Sequence, residues 1–79
     1  MYYILEIQQA QDGTPANIVK TASSKNEALS TYYGTLAFAA ISEVYIHTVV
    51  VMDAHGQYLA KESFTHKPEE SLLEELNND

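Results

Sequence analysis

The sequence predicts one α+β domain, in which a four-stranded and mostly antiparallel sheet carries a single helix on one face. The chain has 79 residues, which leaves room for one hydrophobic core. Two pairs of strand-like segments flank one long helical segment, so the predicted order is strand, strand, helix, strand, strand. A right-handed crossover between the second and third strands places the third beside the first, in spatial order 2-1-3-4. We assign this domain to residues 1–66 and a tail to residues 67–79.

The first pair of strands is predicted from alternation and from a turn motif. Residues 2–9 alternate with the period of two that is typical of a strand. Asp12-Gly13 follows, and glycine in such a pair adopts the positive φ that a tight hairpin turn requires. Residues 17–21 then form the predicted second strand, and Pro15, which lacks an N–H group, favours an edge position for it.

The spacing of apolar residues predicts a helix over residues 25–41. Ser24 and Glu27 are spaced as in a capping box, in which each side chain satisfies a free amide at the start of a helix. Gly34 weakens this helix by about 1 kcal/mol relative to alanine, unless something packs closely against its backbone. The recurrence of apolar residues at intervals of three and four predicts a buried stripe made of Ala28, Leu29, Tyr32, Tyr33, Leu36, Ala37, Ala40 and Ile41.

The second half of the chain predicts a central strand, a returning strand and a tail. Residues 44–52 are apolar on both faces, which indicates a central position. Residues 53–56 form a predicted turn, and residues 57–64 the returning strand of a second hairpin. After Pro68 the composition becomes acidic and predicts a short, weak C-terminal helix. The carboxylates of this tail include Glu69, Glu70, Glu74 and Glu75.

Charge and composition narrow the class of partner and the compartment. Eleven Asp and Glu residues oppose four basic residues, for a formal net charge of −7. Such a surface repels phosphate backbones, which disfavours direct nucleic-acid binding. It can attract a basic protein instead, and the alternative is that the charge serves solubility alone. The absence of cysteine is compatible with a reducing cytosol. The first residues do not resemble a signal peptide, and no stretch reaches the roughly 20 apolar residues that span a membrane, so we expect a cytoplasmic protein and no membrane partner.

The predicted sheet has a face that a single helix cannot cover. If several large apolar side chains stay exposed, the protein loses the stabilisation of about 25 cal/mol per Å² that their burial would give. An exposed patch of this kind marks an interface. We therefore predict a homodimer or a higher even-numbered oligomer. The residues that we assign to this oligomer or partner face are Tyr2, Ile4, Phe38, Tyr45, His47, Val49 and Val51.

The sequence contains no motif that predicts catalysis or metal binding. His47, His55 and His66 are plausible metal ligands, but none has a partner at a short ligand spacing. Its glycines are too far apart for a phosphate-binding loop, and a nucleophile elbow is absent. An enzyme would also require a histidine and a carboxylate within about 3 Å of each other, which nothing in the linear sequence provides. We predict a non-enzymatic protein without a cofactor or a metal.

Six tyrosines suggest a possible ligand pocket. Tyrosine combines a large contact area with a polar tip, which suits both interfaces and small-molecule sites. The candidates for such a pocket are Tyr32, Tyr33 and Tyr58. The alternative is that they are core residues whose hydroxyl groups reach solvent.

Several short segments, taken together, resemble a known group of proteins. The first strand ends in Glu6-Ile7-Gln8, and Asp12-Gly13-Thr14, Asn26-Glu27-Ala28 and Leu36-Ala37 follow in that order. This succession, over roughly residues 2–66, resembles short proteins encoded by phages and prophages of Firmicutes. Since these residues mainly determine the fold, the resemblance carries no activity to any position. It implies a phage-encoded accessory protein that acts inside a bacterial host.

In that setting two classes of function compete. The first is a binding protein that acts as a host-defence antagonist, either by covering a basic surface of a host protein or by sequestering a small signalling molecule between subunits. A nucleotide-like signal would require lysines that converge through oligomerisation, because the chain has four basic residues in total. The second class is a structural or assembly component of a phage particle.

Overall fold

The computed structural model describes residues 1–66, which form four strands and one helix. All neighbouring strands are antiparallel, and their order in the sheet is β2-β1-β3-β4. The predicted α+β class, element order and strand order are therefore confirmed. The predicted tail and its weak helix, residues 67–79, lie outside the described residues. The elements are β1 (Tyr2–Gln9), β2 (Pro15–Ala22), α1 (Lys25–Ile41), β3 (Ile46–Asp53) and β4 (Tyr58–Thr65).

Local contacts fix both hairpin turns. Gly13 and Gly56 have φ values of 92° and 82°, which residues with a Cβ atom rarely adopt. In the first turn, Asp12 Oδ1 accepts a hydrogen bond of 2.9 Å from the backbone N–H of Thr14. In the second turn, Asp53 Oδ1 accepts from two backbone N–H groups. Each turn is thus stabilised by an aspartate as well as by a glycine.

Helix α1 begins and ends at the predicted residues. Ser24 Oγ accepts a hydrogen bond of 3.1 Å from the backbone N–H of Glu27, which is the expected N-cap contact. Glu27 Oε2 accepts from the hydroxyl of Ser23 at 3.2 Å, so the capping residues form a local cluster. At the other end, the backbone N–H of Ser42 donates to the carbonyl of Ala39. No helix in the part of the chain that the structure describes is long and apolar enough to cross a membrane.

The buried side of α1 differs from the predicted stripe. Tyr33 and Ile41 belong to that stripe, yet both are exposed. Ala37 and Ala40 of the predicted stripe are exposed as well. Thr35 is buried although it is polar, and its hydroxyl accepts a hydrogen bond from the Lys20 ammonium group. The prediction failed here because apolar character alone did not determine which side of the helix faces the sheet. The residues of α1 that are buried against the sheet are Ala28, Tyr32, Thr35 and Ala39.

The helix covers the sheet face that the sequence predicts to be open. Ile4, Val49 and Val51 are fully buried and form one core cluster with residues of α1. His47 lies on the same face and is 1% exposed. Tyr2 packs against this cluster, and Tyr45 is half-buried just before β3. The assignment of Ile4, His47, Val49 and Val51 to an oligomer or partner face was therefore wrong, because the helix buries them.

The side of the sheet that no element among residues 1–66 covers is formed by the alternate residues of the same strands. The register pairs Leu5 with Val19 on one side and with Val50 on the other, so these three side chains point to one face. We call this surface the open face. Its apolar residues are Tyr3, Leu5, Ile7, Val19, Ile46, Val50 and Met52.

Candidate functional site

A series of polar side chains crosses the core between the helix and the sheet, and we call it the polar chain. Glu6 and His47 are buried, with Glu6 Oε1 3.1 Å from His47 Nε2. Glu6 Oε2 lies 3.6 Å from the ammonium group of Lys20. The Lys20 ammonium donates to Thr35 Oγ1 at 3.3 Å, and the hydroxyl of Ser42 lies 2.9 Å from His47 Nδ1. Each member therefore has a polar partner, as burial requires.

The strand order explains how Glu6 reaches two partners at once. Strand β1 lies between β2 and β3. Lys20 pairs with Ile4 across one boundary, and His47 pairs with Gln8 across the other, so both are diagonal neighbours of Glu6. The contact between Glu6 and Lys20 depends on the register of the first hairpin, in which Ala10 and Thr14 close a turn of three residues rather than one of Asp12-Gly13 alone. The contact with His47 depends on pairing between distant segments, so neither contact could be predicted from the sequence.

Ser42, His47 and Glu6 have the distances of a nucleophile, a base and an orienting carboxylate. This arrangement was not predicted, although an enzyme was expected to require such a pair. Two features of the site disfavour acyl transfer. Ser42 lies at the C-terminal end of α1, where carbonyl groups carry partial negative charge, whereas an oxyanion needs N–H donors. The adjacent groove is lined by Glu6 but by neither Ser42 nor His47.

An open groove of about 450 Å³ lies between α1 and the β1–β2 hairpin, and we call it the groove. On the helix side its lining residues recur at intervals of three and four, which places them on one face. Phe38 and Ile18 line it from opposite sides and are 65% and 44% exposed. Its lining residues are Thr31, Gly34, Thr35 and Phe38 from the helix, with Glu6, Gln8, Ile18 and Lys20 from the sheet.

The three tyrosines of the predicted pocket lie in different places. Tyr32 is buried in the core, and its ring contacts that of Tyr33 edge to face, with centroids 5.2 Å apart. Burial, with a smaller contribution from the negative charge of Glu62, raises the pKa of Tyr32 above its ordinary value. The ring of Tyr58 lies instead under the ammonium group of Lys61, on the open-face side of β4. The sheet separates Tyr58 from Tyr32, so the three residues do not form one pocket.

The histidines also occupy separate environments. His66 Nε2–H donates to the carbonyl of Ala39 at 2.9 Å, and the ring stacks on Phe64. His55 is exposed in the second turn, and His47 belongs to the polar chain. Within residues 1–66, no group of three His, Cys, Asp or Glu side chains could hold a metal ion.

The open face is the larger uncovered surface of the sheet. Ile7 and Val19 are exposed there, whereas Val50 is shielded by its neighbours on the adjacent strands. Of the predicted partner-face residues, Phe38 is exposed, but it lines the groove. The predicted acidic positions Glu69, Glu70, Glu74 and Glu75 lie outside the described residues.

No family model, curated protein or solved structure matches this chain. The two surfaces from which a function can be argued are therefore the open face and the groove.

Proposed function

We propose that this protein is a non-enzymatic binding protein that works as a homodimer, with two copies stacked through their open faces. One observation carries the proposal: the face of the sheet that no described element covers has a set of neighbouring apolar side chains and fewer charged residues than the face under the helix. Under the helix, the sheet carries Glu6, Lys20 and His47, which need the polar chain to be satisfied. Among the described strand residues of the open face, Lys61 is the only charged one. A largely apolar face with a single charged residue is typical of an interface.

The dimensions of the open face suit a second copy. Each strand has eight residues, which gives a length of about 26 Å, and the described strands together are about 19 Å wide. Stacking two such faces therefore covers on the order of 500 Å² per copy, or about 1,000 Å² in total. This reaches the roughly 1,000 Å² that a specific interface needs. Sheets stacked about 10 Å apart let their side chains interdigitate.

Charge also favours the open face for self-association. Each copy has a formal net charge of −7, so two copies repel each other wherever their carboxylates meet. Asp12, Glu27 and Glu43 lie in a turn, at the start of α1 and in the loop after it, and Glu62 points to the helix side of β4. A two-fold arrangement through the open faces keeps these carboxylates on the outside of the dimer.

The outer surface of such a dimer suits a basic partner protein. Complementary charge speeds association and selects partners. In the phage setting that the resemblance implies, the dimer would act in the host cytosol and antagonise a host system by covering a basic protein surface. A component of a phage particle is the alternative, and it is distinguished by co-sedimentation of the protein with purified particles.

Sedimentation of matched variants tests the dimer. Ile7→Asp places a carboxylate on central strand β1 at a side chain that is 42% exposed, so the folded monomer is hardly affected. Ile41→Asp adds the same charge at the end of α1, where the side chain is 81% exposed and lies outside the open face. We expect dimers for the wild type and Ile41→Asp at micromolar concentration.

For Ile7→Asp we expect association weakened by about 100-fold or more, because burial of an unpaired carboxylate in an apolar interface costs several kcal/mol. Circular dichroism should show that both variants keep the wild-type fold. A wild-type protein that sediments as a monomer, or equal dimerisation of the two variants, would contradict the proposal.

A further inference from the structure

We propose that the groove binds a small molecule that carries a planar ring and a single anionic group. The groove lies on the helix side of the sheet, away from the open face, so this inference does not depend on the homodimer. It follows from three neighbouring features: the bare backbone at Gly34, the apolar walls formed by Ile18 and Phe38, and the ammonium group of Lys20.

Gly34 is the first feature, because nothing in the described fold explains it. It lies in the middle of a 17-residue helix, where glycine costs about 1 kcal/mol relative to alanine. Such a glycine is useful where another group must approach the backbone closely. A Cβ atom at this position would meet no atom of a neighbouring element within 4 Å among residues 1–66. The space beside Gly34 belongs to the groove, so a bound molecule could lie directly against the helix backbone there.

The second feature is the pair of apolar walls beside that space. Phe38 lies one helical turn after Gly34, and Ile18 faces it from β2. Both side chains are substantially exposed to solvent. An aromatic ring in this position would remove apolar surface from water, and contact with Phe38 would add about 0.5–1.5 kcal/mol.

The third feature is the charge at the floor of the groove. The Lys20 ammonium group donates one hydrogen bond, to Thr35, within the described chain, and it forms an ion pair with Glu6 at 3.6 Å. The side chain is 47% exposed, so the group can donate to a ligand. Among the described residues that line the groove, Lys20 is the only basic one. The nearby carboxylate of Glu6 repels any additional negative charge on a ligand. A ligand with one carboxylate or one phosphate group fits this pattern.

NMR titration of the isotope-labelled full chain tests the site. The anionic probes are benzoate and adenosine monophosphate, and their uncharged counterparts are benzamide and adenosine. We expect at least one anionic probe to shift the backbone amide signals of Lys20, Gly34 and Thr35 at millimolar concentration. The uncharged counterpart of that probe should bind at least about tenfold more weakly, because a hydrogen bond to a charged group contributes about 1.5–3 kcal/mol.

Two pairs of variants separate the contributions of charge and shape. Lys20→Gln should weaken binding of the anionic probe about tenfold, whereas Lys25→Gln, outside the groove, should leave it unchanged. Gly34→Leu should abolish binding by filling the space, whereas Ala37→Leu, at an exposed position of the same helix, should not. The amide spectrum of each variant shows directly whether it is folded.

Either of two results would overturn the proposal. One is the absence of localised shifts with both anionic probes at millimolar concentration. The other is binding that persists unchanged in folded Gly34→Leu protein.

Discussion

Replacement of Gly34 by alanine should stabilise the protein. In the middle of a helix, glycine is less favourable than alanine by about 1 kcal/mol. The added methyl group meets no neighbouring element within 4 Å in the described chain, so no steric penalty offsets this gain. We therefore expect Gly34→Ala to raise the free energy of unfolding by about 1 kcal/mol. For a chain of this size, that corresponds to a rise of about 4–8 °C in the melting temperature.

Chemical denaturation followed by circular dichroism measures this change, at one fixed protein concentration so that any association contributes equally. Ala37→Gly is the matched control, because Ala37 is exposed on the same helix and the substitution is the reverse one. It should lower the free energy of unfolding by about 1 kcal/mol. If Gly34→Ala is destabilising while Ala37→Gly behaves as expected, some group packs against Gly34 within the chain. The argument for a ligand in the groove would then lose its first support.

Two further predictions concern the helix cap and the core. Ser24→Ala removes the oxygen that accepts from the N–H of Glu27, and it should cost about 1 kcal/mol in the free energy of unfolding, measured by the same denaturation. The raised pKa of Tyr32 means that its neutral form is favoured in the folded state, so the contribution of Tyr32 to stability should be fully present below the ordinary tyrosine pKa of about 10 and be lost as the pH rises above it. Chemical denaturation of the wild type and of Tyr32→Phe at a series of alkaline pH values measures this contribution, and an alkaline loss of stability that is equal in both proteins would contradict it.

The elements were predictable because their signals are local. The Asp-Gly turn, the spacing of Ser24 and Glu27, and the alternation in residues 2–9 each depend on a few neighbouring residues. The strand ends were less accurate. Strand β2 extends from Pro15 to Ala22 rather than over residues 17–21, because pairing along the whole of β1 continues beyond the apolar positions.

The choice of face was wrong because local patterns do not encode it. Strand β1 has an apolar face with Leu5 and Ile7 and a mixed face with Ile4 and Glu6, and hydrophobicity alone predicts that the helix covers the first. The structure places the helix over the second, where Glu6 is satisfied by His47 from a distant strand. Because Glu6 and His47 are 41 residues apart in the sequence, neither the polar chain nor the identity of the open face could be predicted.

The strand order has a consequence for the folding pathway. Each hairpin joins segments that are close in sequence, whereas β1 pairs with β3 across separations that run from Gln9 with Ile46 to Tyr2 with Asp53. Closing so long a loop costs more entropy than closing either hairpin, so we expect this central pairing to limit the folding rate. The same two strands form the middle of the open face. A chain that has formed only its two hairpins therefore lacks the complete open face. On the proposed dimer, we expect such a chain not to self-associate through this face until β1 and β3 have paired.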